Sequence, residues 1–417
     1  MKYTKTCVAA LLIIGILLTL VGCASDPATQ TVDLMRDIST AETEGKPSDN
    51  IFIENMAGFS IDLFQKSVTN GENSLVSPLS VMLALAMTAN GADGDTLTQM
   101  QSLLAGDMPL AHLNRYLYSY VNGLPSTESA RIDIANSIWF RNDETLQVER
   151  DFLQTNASYF NAQIFGAPFD GQTVTDINDW VYNSTEGMID RMIDEITDQA
   201  LFLINAVAFD ARWQSPYTEW SIRDGIFTDE NGHEHDAAFM FSQEWAFLDD
   251  GMATGFIKPY ANRTYAFVAL LPNEGISVEE YISSLTGERF LDMIDNKQAR
   301  EVDAFLPKFE FEYELSLIDA LTALGMVDVF SPNEADLSKM ARSAIGNLFI
   351  SEVLHKTFIS VNEAGTRAGA ATVVEVDDDV SAPPDDIPVV RLDRPFIFAI
   401  IDTTTNLPIF LGTVMTV

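Results

Sequence analysis

Residues that could carry out covalent catalysis are scarce in this chain. Its 417 residues include two cysteines and four histidines, His112, His233, His235 and His355. No Gly-x-Ser-x-Gly elbow and no P-loop lysine motif occurs, so the sequence predicts neither a hydrolase nucleophile nor a phosphate-binding loop. Paired carboxylates could act as acid and base, but nothing singles out one pair among 61 acidic residues. We therefore predict that the protein is not an enzyme and needs no cofactor.

Two of the histidines lie close together in the segment Gly-His-Glu-His-Asp, at His233 and His235. Histidines at alternate positions of a hairpin could bind a metal ion with the help of neighbouring carboxylates. The signal is weak, because no further group of cysteines or histidines accompanies it. We predict no metal site here.

Polar residues interrupt the apolar faces of two predicted strands. Asn205 falls within residues 201–209 and His355 within residues 349–363, where apolar and polar residues alternate. An unpaired buried amide costs about 1–3 kcal/mol, so both side chains should have hydrogen-bond partners. A lone histidine on an apolar face indicates a structural role rather than catalysis.

The side chains become small directly after Glu363. Almost every residue from 364 to 372 is small, and an acidic, proline-containing run follows at 375–388. Flexible linkers rarely place small residues in a two-residue register. Here alternate residues would point to one face of an extended chain: Thr366, Ala368, Ala370, Thr372, Val374 and Val376. We predict a strand narrow enough to enter between two existing strands.

The composition excludes one class of partner. Apolar residues make up 47% of the chain, which allows a sizeable core, and 24 basic against 61 acidic residues give a net charge of −37. Nucleic-acid binding is not expected, because a phosphate backbone would be repelled. A solvated acidic surface explains this charge most simply. A saline habitat and cationic target proteins are the alternatives.

The N-terminus is typical of a targeting segment. Lys2 and Lys5 precede an apolar run at 8–21, which is shorter than the ~20 residues that span a bilayer. The run ends in Leu-Val-Gly-Cys, similar to a prokaryotic lipoprotein processing site. We predict a signal peptide at 1–22, a lipid on Cys23, and a lipid-anchored protein at the cell surface or elsewhere outside the cytoplasm. An ordinary secretory signal with an incidental cysteine is the alternative. Removal of Cys7 would leave no disulfide.

Residues 23–49 are polar with few large side chains, which predicts a tether, and the folded domain is expected at 50–417. Ser77-Pro78 predicts a helix start, with the serine as cap and proline at the first helical position. The next residues, 81–89, are apolar nearly all round, so this helix should run through the interior. Residues 301–312 alternate like one continuous strand.

Several of these segments resemble the serpin family. The resemblance covers nearly all of residues 48–417. It includes Ser77-Pro78-Leu79-Ser80 and the segments Arg394-Pro395-Phe396 and Leu411-Gly412. The family's hinge, Glu-x-Gly-Thr followed by small residues, matches Glu363, Gly365, Thr366, Ala368, Ala370, Ala371 and Thr372.

The resemblance implies an α+β fold with three β-sheets, about nine helices and an exposed reactive-centre loop at about 364–388. It also implies a buried hydrogen-bonded cluster beneath the point where the central sheet opens, and a tryptophan beneath the end where the loop enters. The matching cluster residues are Ser77, Ser80, Asn205 and His355, and the matching tryptophan is Trp213. These residues would control opening and do no bond chemistry.

The function implied by the resemblance is suicide inhibition of a serine or cysteine protease by a monomer. The protease would be held as a covalent acyl-enzyme while the cleaved loop enters the central sheet. Counting forward from the hinge places the reactive bond at Asp379–Val380, with Val380–Ser381 as runner-up. Counting back from Pro395 places it near Pro384–Asp385, and we prefer the forward count, because it fixes the inserted length.

One hinge residue departs from the family pattern. Arg367 stands where an acidic residue is usual, but this position would face outward, so insertion should survive. The alternative function is a non-inhibitory serpin-fold binding or chaperone-like surface lipoprotein. Such proteins usually carry bulky or charged residues at inward hinge positions, and this sequence does not.

Overall fold

The computed structural model describes residues 30–196, 201–344, 346–366 and 387–417. None of the helices in these ranges is both long and apolar enough to cross a membrane. The described residues form nine α-helices: Asn50–Ser67 (α1), Pro78–Ala89 (α2), Gly94–Ala105 (α3), Leu110–Gly123 (α4), Arg150–Phe160 (α5), Gly171–Ser184 (α6), Val278–Ser284 (α7), Gly287–Asp295 (α8) and Ile318–Ala323 (α9).

Nineteen strands form in the same described ranges, several of only two or three residues. They are Val32–Asp33 (β1), Ser74–Val76 (β2), Ala130–Arg141 (β3), Gln147–Val148 (β4), Gln163–Ala167 (β5), Leu201–Arg212 (β6), Ile222–Thr228 (β7), Glu234–Glu244 (β8), Phe247–Asp249 (β9), Ala253–Pro259 (β10), Tyr265–Pro272 (β11), Val302–Pro307 (β12), Phe309–Ser316 (β13), Ala341–Arg342 (β14), Glu352–Val361 (β15), Gly365–Thr366 (β16), Val389–Arg391 (β17), Phe396–Asp402 (β18) and Pro408–Val414 (β19).

The strands build three large sheets and one two-stranded ribbon, β14–β4. Sheet A has the order β1-β5-β3-β6-β16-β15-β13, sheet B the order β2-β19-β18-β11-β10-β9, and sheet C the order β17-β12-β8-β7. The predicted α+β fold with three sheets and about nine helices is confirmed for the described residues.

The core lies between sheets A and B, around α2. All twelve residues of α2 are buried, and the helix contacts β3 and β6 on one side and β19 on the other. The centre of sheet B lies in the core, because every residue of β11, β18 and β19 is buried. On the other side of sheet A, α6 packs Ile177 and Val181 into a cluster with Trp139. Sheet A is thus covered on both faces.

Two local predictions differ from the structure. Ser77 occupies the position before α2, but its side chain makes no capping hydrogen bond, and its buried Oγ has no partner within the described residues. The segment 301–312 is two strands rather than one: β12 ends at Pro307 and joins sheet C, whereas β13 belongs to sheet A. Proline cannot donate to a strand ladder, so the chain changes sheets at this residue.

Residues 30–49 are not a free tether, which corrects the prediction for this part of 23–49. Val32 and Asp33 add a short antiparallel strand to the edge of sheet A, beside Gly166 and Phe165. Its few apolar side chains, Leu34, Met35 and Ile38, pack on the domain core. We call residues 30–49 the N-terminal strap. The polar composition of this segment led to the wrong prediction of a tether, because backbone pairing and three apolar side chains suffice to hold a short edge strand.

Candidate functional site at the split end of sheet A

The two central strands of sheet A, β6 and β15, are paired along only part of their length. They form a parallel ladder from Phe202–Glu352 to Ala206–Lys356. Within the described residues no pairing links 207–210 of β6 with 357–360 of β15. Above this gap, Thr366 pairs with Ala211 on one side and Val361 on the other. Sheet A is therefore closed in its lower half, split above it, and bridged at its upper end by two residues.

These two residues, Gly365 and Thr366, fit their position closely. A side chain at Gly365 would place its Cβ 2.0 Å from the carbonyl oxygen of Ala211, so only glycine is accommodated without movement of the strand. Thr366 is 2% exposed, and its hydroxyl lies 2.5 Å from the hydroxyl of Tyr260. The start of the predicted hinge is thus inside the sheet, with Thr366 facing the interior.

Three aromatic residues hold the chain that enters the sheet, and we call Trp213, Tyr217 and Tyr260 the hinge clamp. Trp213 donates from Nε1 to the carbonyl of residue 362 at 2.8 Å and from its backbone N–H to that of residue 364 at 2.9 Å. The Tyr217 N–H donates to the carbonyl of residue 363 at 2.9 Å. The Trp213 and Tyr260 rings stack with centroids 4.6 Å apart. Three consecutive hinge carbonyls are therefore bound.

Two ion pairs flank the hinge clamp. Lys258 lies 2.8 Å from Glu244 and both are buried, with Lys258 4.3 Å from the Tyr217 ring centre. Burial by itself would lower the pKa of Lys258, but Tyr217 and Glu244 together outweigh it and raise the pKa. Lys308 lies 2.7 Å from Glu363 and, mainly through this hydrogen bond, lowers the pKa of that carboxyl. The Glu363 carboxylate is therefore ionised at neutral pH.

A polar cluster crosses three strands of sheet A where β6 and β15 are still paired. Asn136 of β3, Asn205 of β6 and His355 of β15 stand side by side in register. The Asn205 amide donates to Oδ1 of Asn136 at 2.5 Å and to the hydroxyl of Ser80. His355 Nδ1 lies 2.6 Å from Oδ1 of Asn205. We call this group, with Ser77, the shutter cluster.

The hydrogen bonds of His355 fix its protonation state. The backbone N–H of Ser77 donates to Nε2 at 3.1 Å, so this nitrogen carries no proton. Nδ1 must then hold the proton and donate to Asn205. Full burial lowers the pKa of His355 to about 3, which keeps the ring neutral at physiological pH. The side chain links β15, β6 and the start of α2, so it is a structural crosslink rather than a base.

The remaining predicted residues lie elsewhere or outside the described ranges. His233 Nδ1 and His235 Nε2 lie 3.1 and 3.3 Å from Oδ2 of Asp229, and no group of three or more metal-binding side chains forms in the described part of the chain. The structure does not describe Cys23, Ala368, Ala370, Ala371, Thr372, Asp379 or Val380. Arg367 and the rest of the loop up to 386 are likewise outside it.

A model of one protein family matches this architecture along most of the chain. The serpin (serine protease inhibitor) family model covers residues 54–417, which includes every described residue of the hinge, hinge clamp and shutter cluster. The chain belongs to the serpin family. Inhibitory relatives support protease inhibition as the general activity. The chain is 30% identical over 366 residues to the serine protease inhibitor of Cyanea capillata, and the aligned region covers 84% of this chain and 95% of the relative.

A second relative and one solved serpin point the same way. The leukocyte elastase inhibitor of Equus caballus is 30% identical over 380 residues, 85% of this chain and 96% of its own. The thermophilic serpin tengpin in its native state is 50% identical and superposes with a TM-score of 0.90, over 93% of this chain and all of that one. Against the latent state of tengpin the TM-score is 0.80. This serpin thus resembles the native form more than the latent form.

Several residues of the site were not predicted from the sequence. Asn136 sits on an apolar strand face just as Asn205 does, and that shared pattern could have identified it. Tyr217, Lys258, Glu244 and Tyr260 come from three separate segments, and only their folding onto the hinge brings them together. The one sequence signal for this group was Lys258, a charged residue within an apolar strand and two residues before Tyr260.

Proposed function

We propose that this serpin inhibits a serine-type protease as a suicide substrate. The observation that supports the proposal most directly is the split between β6 and β15, bridged by Gly365 and Thr366. A strand that has begun to enter a sheet between two separated neighbours can continue once its far end is cut. The small residues that follow in the sequence suit such a space.

The chemistry would use the protease's own machinery. The protease serine attacks the carbonyl carbon of Asp379, its proton passes by way of the protease base to the amine of Val380, and the peptide bond breaks. An ester then joins Asp379 to the serine. Hydrolysis of that ester would complete ordinary proteolysis. Inhibition requires that the loop insert first and pull the protease away with its active site distorted, so that water no longer cleaves the ester.

The strand register divides insertion into two stages. Thr366 pairs antiparallel with Ala211, so residues 367–370 would fall opposite 210–207, where β6 and β15 are unpaired. If the strand continued in the same register, Thr372 would lie between Asn205 and His355. The first stage fills an existing gap. The second must break the shutter cluster and the parallel ladder below it.

The test is a search for the trapped complex. The soluble domain is incubated with trypsin, chymotrypsin, subtilisin, an acid-specific glutamyl endopeptidase and papain, and each mixture is run on SDS gels. An SDS-resistant band at the summed mass, with the cut mapped to 379–380, is the expected result for at least one serine protease. Simple cleavage without any stable complex across the panel would favour the alternative, a non-inhibitory serpin-fold binding or chaperone-like surface lipoprotein.

We also propose that a lipid on Cys23 anchors the protein to a membrane outside the cytoplasm. The apolar run before Leu-Val-Gly-Cys supports this. Cys23→Ser should leave the precursor unprocessed or release the protein from the membrane fraction. If the wild-type N-terminus proves to be cleaved but carries no lipid, the anchor proposal fails while the inhibitor proposal stands.

A further inference from the structure

The ion pair of Lys258 and Glu244 is the most deeply buried salt bridge in the described part of the chain. Oε1 of Glu244 accepts hydrogen bonds both from Nζ of Lys258 and from the Ser242 hydroxyl, the latter at 2.7 Å. Two hydrophobic residues of similar size could fill this space without removing two charges from water. Buried ion pairs are often no more stabilising than such a replacement. Packing alone therefore does not account for the pair.

The ammonium group of Lys258 lies against the hinge clamp. It is 4.3 Å from the centre of the Tyr217 ring and 5.5 Å from that of Trp213. A desolvated cation over an aromatic face attracts the ring and fixes its position. Trp213 binds the hinge carbonyls through its indole Nε1 and its backbone N–H, and Tyr217 binds them through its backbone N–H. A line of contacts thus runs from Glu244 through Lys258 to the Trp213 ring and to Tyr217, and from these two residues to the hinge backbone.

The register of the entering strand is set by few paired residues. Within the described residues, only the two-residue strand β16 lies between β6 and β15. A slip of one residue would turn every inward side chain outward and bring Arg367 to the interior position that Thr366 now occupies. Two paired residues are too few to exclude such a slip by themselves. The bonds from the hinge clamp to residues 362–364, just before the strand, supply the missing restraint.

We propose that Lys258 and Glu244 are positioning residues, which hold the hinge clamp so that the loop enters sheet A in a single register. The inference rests on the proposed inhibition by loop insertion. Among the described residues, neither side chain forms a hydrogen bond or ion pair with the hinge at 362–366. Their loss should slow productive insertion relative to release of the cleaved inhibitor, and leave recognition of the loop by the protease unchanged.

The test compares removal of one charge with removal of both. Lys258→Met leaves Glu244 buried and unpaired, so the unfolding midpoint should fall. Combining Lys258→Met with Glu244→Leu should restore the midpoint. In both variants the moles of inhibitor consumed per mole of protease blocked should rise about threefold or more, because insertion no longer outruns deacylation. If the double variant recovers both the midpoint and the wild-type stoichiometry, the pair has only a core role and the proposal is overturned.

An ion pair beside a different apolar cluster provides the control. Arg289 of α8 lies 2.9 Å from Asp250 and 5.8 Å from the ring centre of Tyr281, a residue of α7 that belongs to this second cluster. Arg289→Met should lower the unfolding midpoint and leave the stoichiometry of inhibition unchanged. A rise in stoichiometry of the same size as with Lys258→Met would show that any lost ion pair has this effect, and would overturn the proposal.

Hydrogen exchange gives a measurement that needs no protease. The amides of residues 364–366 should exchange about tenfold faster in the Lys258→Met/Glu244→Leu variant than in wild type, because the hinge clamp no longer holds them. Unchanged exchange would overturn the positioning role. If the wild-type protein forms no SDS-resistant complex, the proposed function fails, whereas this exchange measurement still decides whether the ion pair positions the hinge.

Discussion

Sheet A is held by different means at the hinge clamp and at the shutter cluster. At the upper end, the Trp213 indole and the backbone N–H groups of Trp213 and Tyr217 bind the backbone of an incoming segment, and the described residues of β6 and β15 are not paired with each other. In the middle, Asn205 and His355 join the same two strands through side chains and a parallel ladder. The first arrangement favours a third strand between them, and the second opposes it. Under the proposed mechanism, insertion would start in one region of sheet A and meet its barrier in the other.

Thr366→Arg, at the upper end of sheet A, should have the largest effect of the substitutions that test this difference. Thr366 is buried between Ala211 and Val361, so an arginine there would bury a guanidinium at a cost on the order of several kcal/mol. We expect the variant to be cleaved as a substrate without forming a covalent complex. Thr366→Ser, which keeps the hydroxyl near Tyr260, is the control and should still inhibit. Unchanged trapping by the arginine variant would show that insertion does not begin at this residue.

Burial of a neutral His355 should make the stability of the folded protein fall at acid pH. Burial lowers its pKa from 6.5 to about 3, so below pH 6.5 the unfolded chain binds a proton that the folded chain excludes. Stability from this residue is complete above pH 6.5 and declines by about 1.4 kcal/mol per pH unit as the pH falls toward 3. Between pH 6.5 and 4.5 wild type should lose about 2–3 kcal/mol more than His355→Gln does.

Urea unfolding midpoints at several pH values measure this difference. His112 is exposed, so His112→Gln serves as the control and should follow the wild-type pH dependence. Parallel pH profiles for wild type and His355→Gln would mean that folding does not lower the pKa of His355. The neutral, buried ring assigned from the Ser77 and Asn205 contacts would then be wrong below pH 6.5.

Trp213→Phe should have the smallest effect of the three. It removes the Nε1 hydrogen bond to the carbonyl of residue 362 but keeps a ring to stack on Tyr260. We expect a loss of about 0.5–1.5 kcal/mol in the unfolding free energy of the intact protein. Trp139→Phe, which removes the bond from another buried indole to Ser137, provides the control for loss of an indole donor. If only Trp213→Phe also raises the consumption of inhibitor per protease blocked, the hinge clamp acts on insertion as well as on stability.

The sequence was informative where a polar or small residue broke a regular pattern. Asn205 and His355 interrupt apolar strand faces, and the structure places them 2.6 Å apart. It was uninformative where contacts join distant segments, as for Lys258 and Glu244, because strand periodicity says nothing about which strand ends meet. The N-terminal strap escaped prediction for another reason. Its edge pairing uses backbone groups, which every sequence contains.

The direct test of loop insertion is a thermal melt before and after limited proteolysis, with the cut mapped by mass spectrometry. Cutting most folds lowers their stability, because the unfolded chain gains freedom. Here a cut between residues 375 and 386 would free a strand, and each inserted residue gains ladder hydrogen bonds of about 0.5–1.5 kcal/mol. Burial of Val374 and Val376 adds about 1.5–3 kcal/mol each, against an ordering cost of about 1–2 kcal/mol per residue. We predict a clearly higher melting temperature for the cut protein. An unchanged or lower melting temperature after that cut would contradict loop insertion, and with it the inhibitory mechanism.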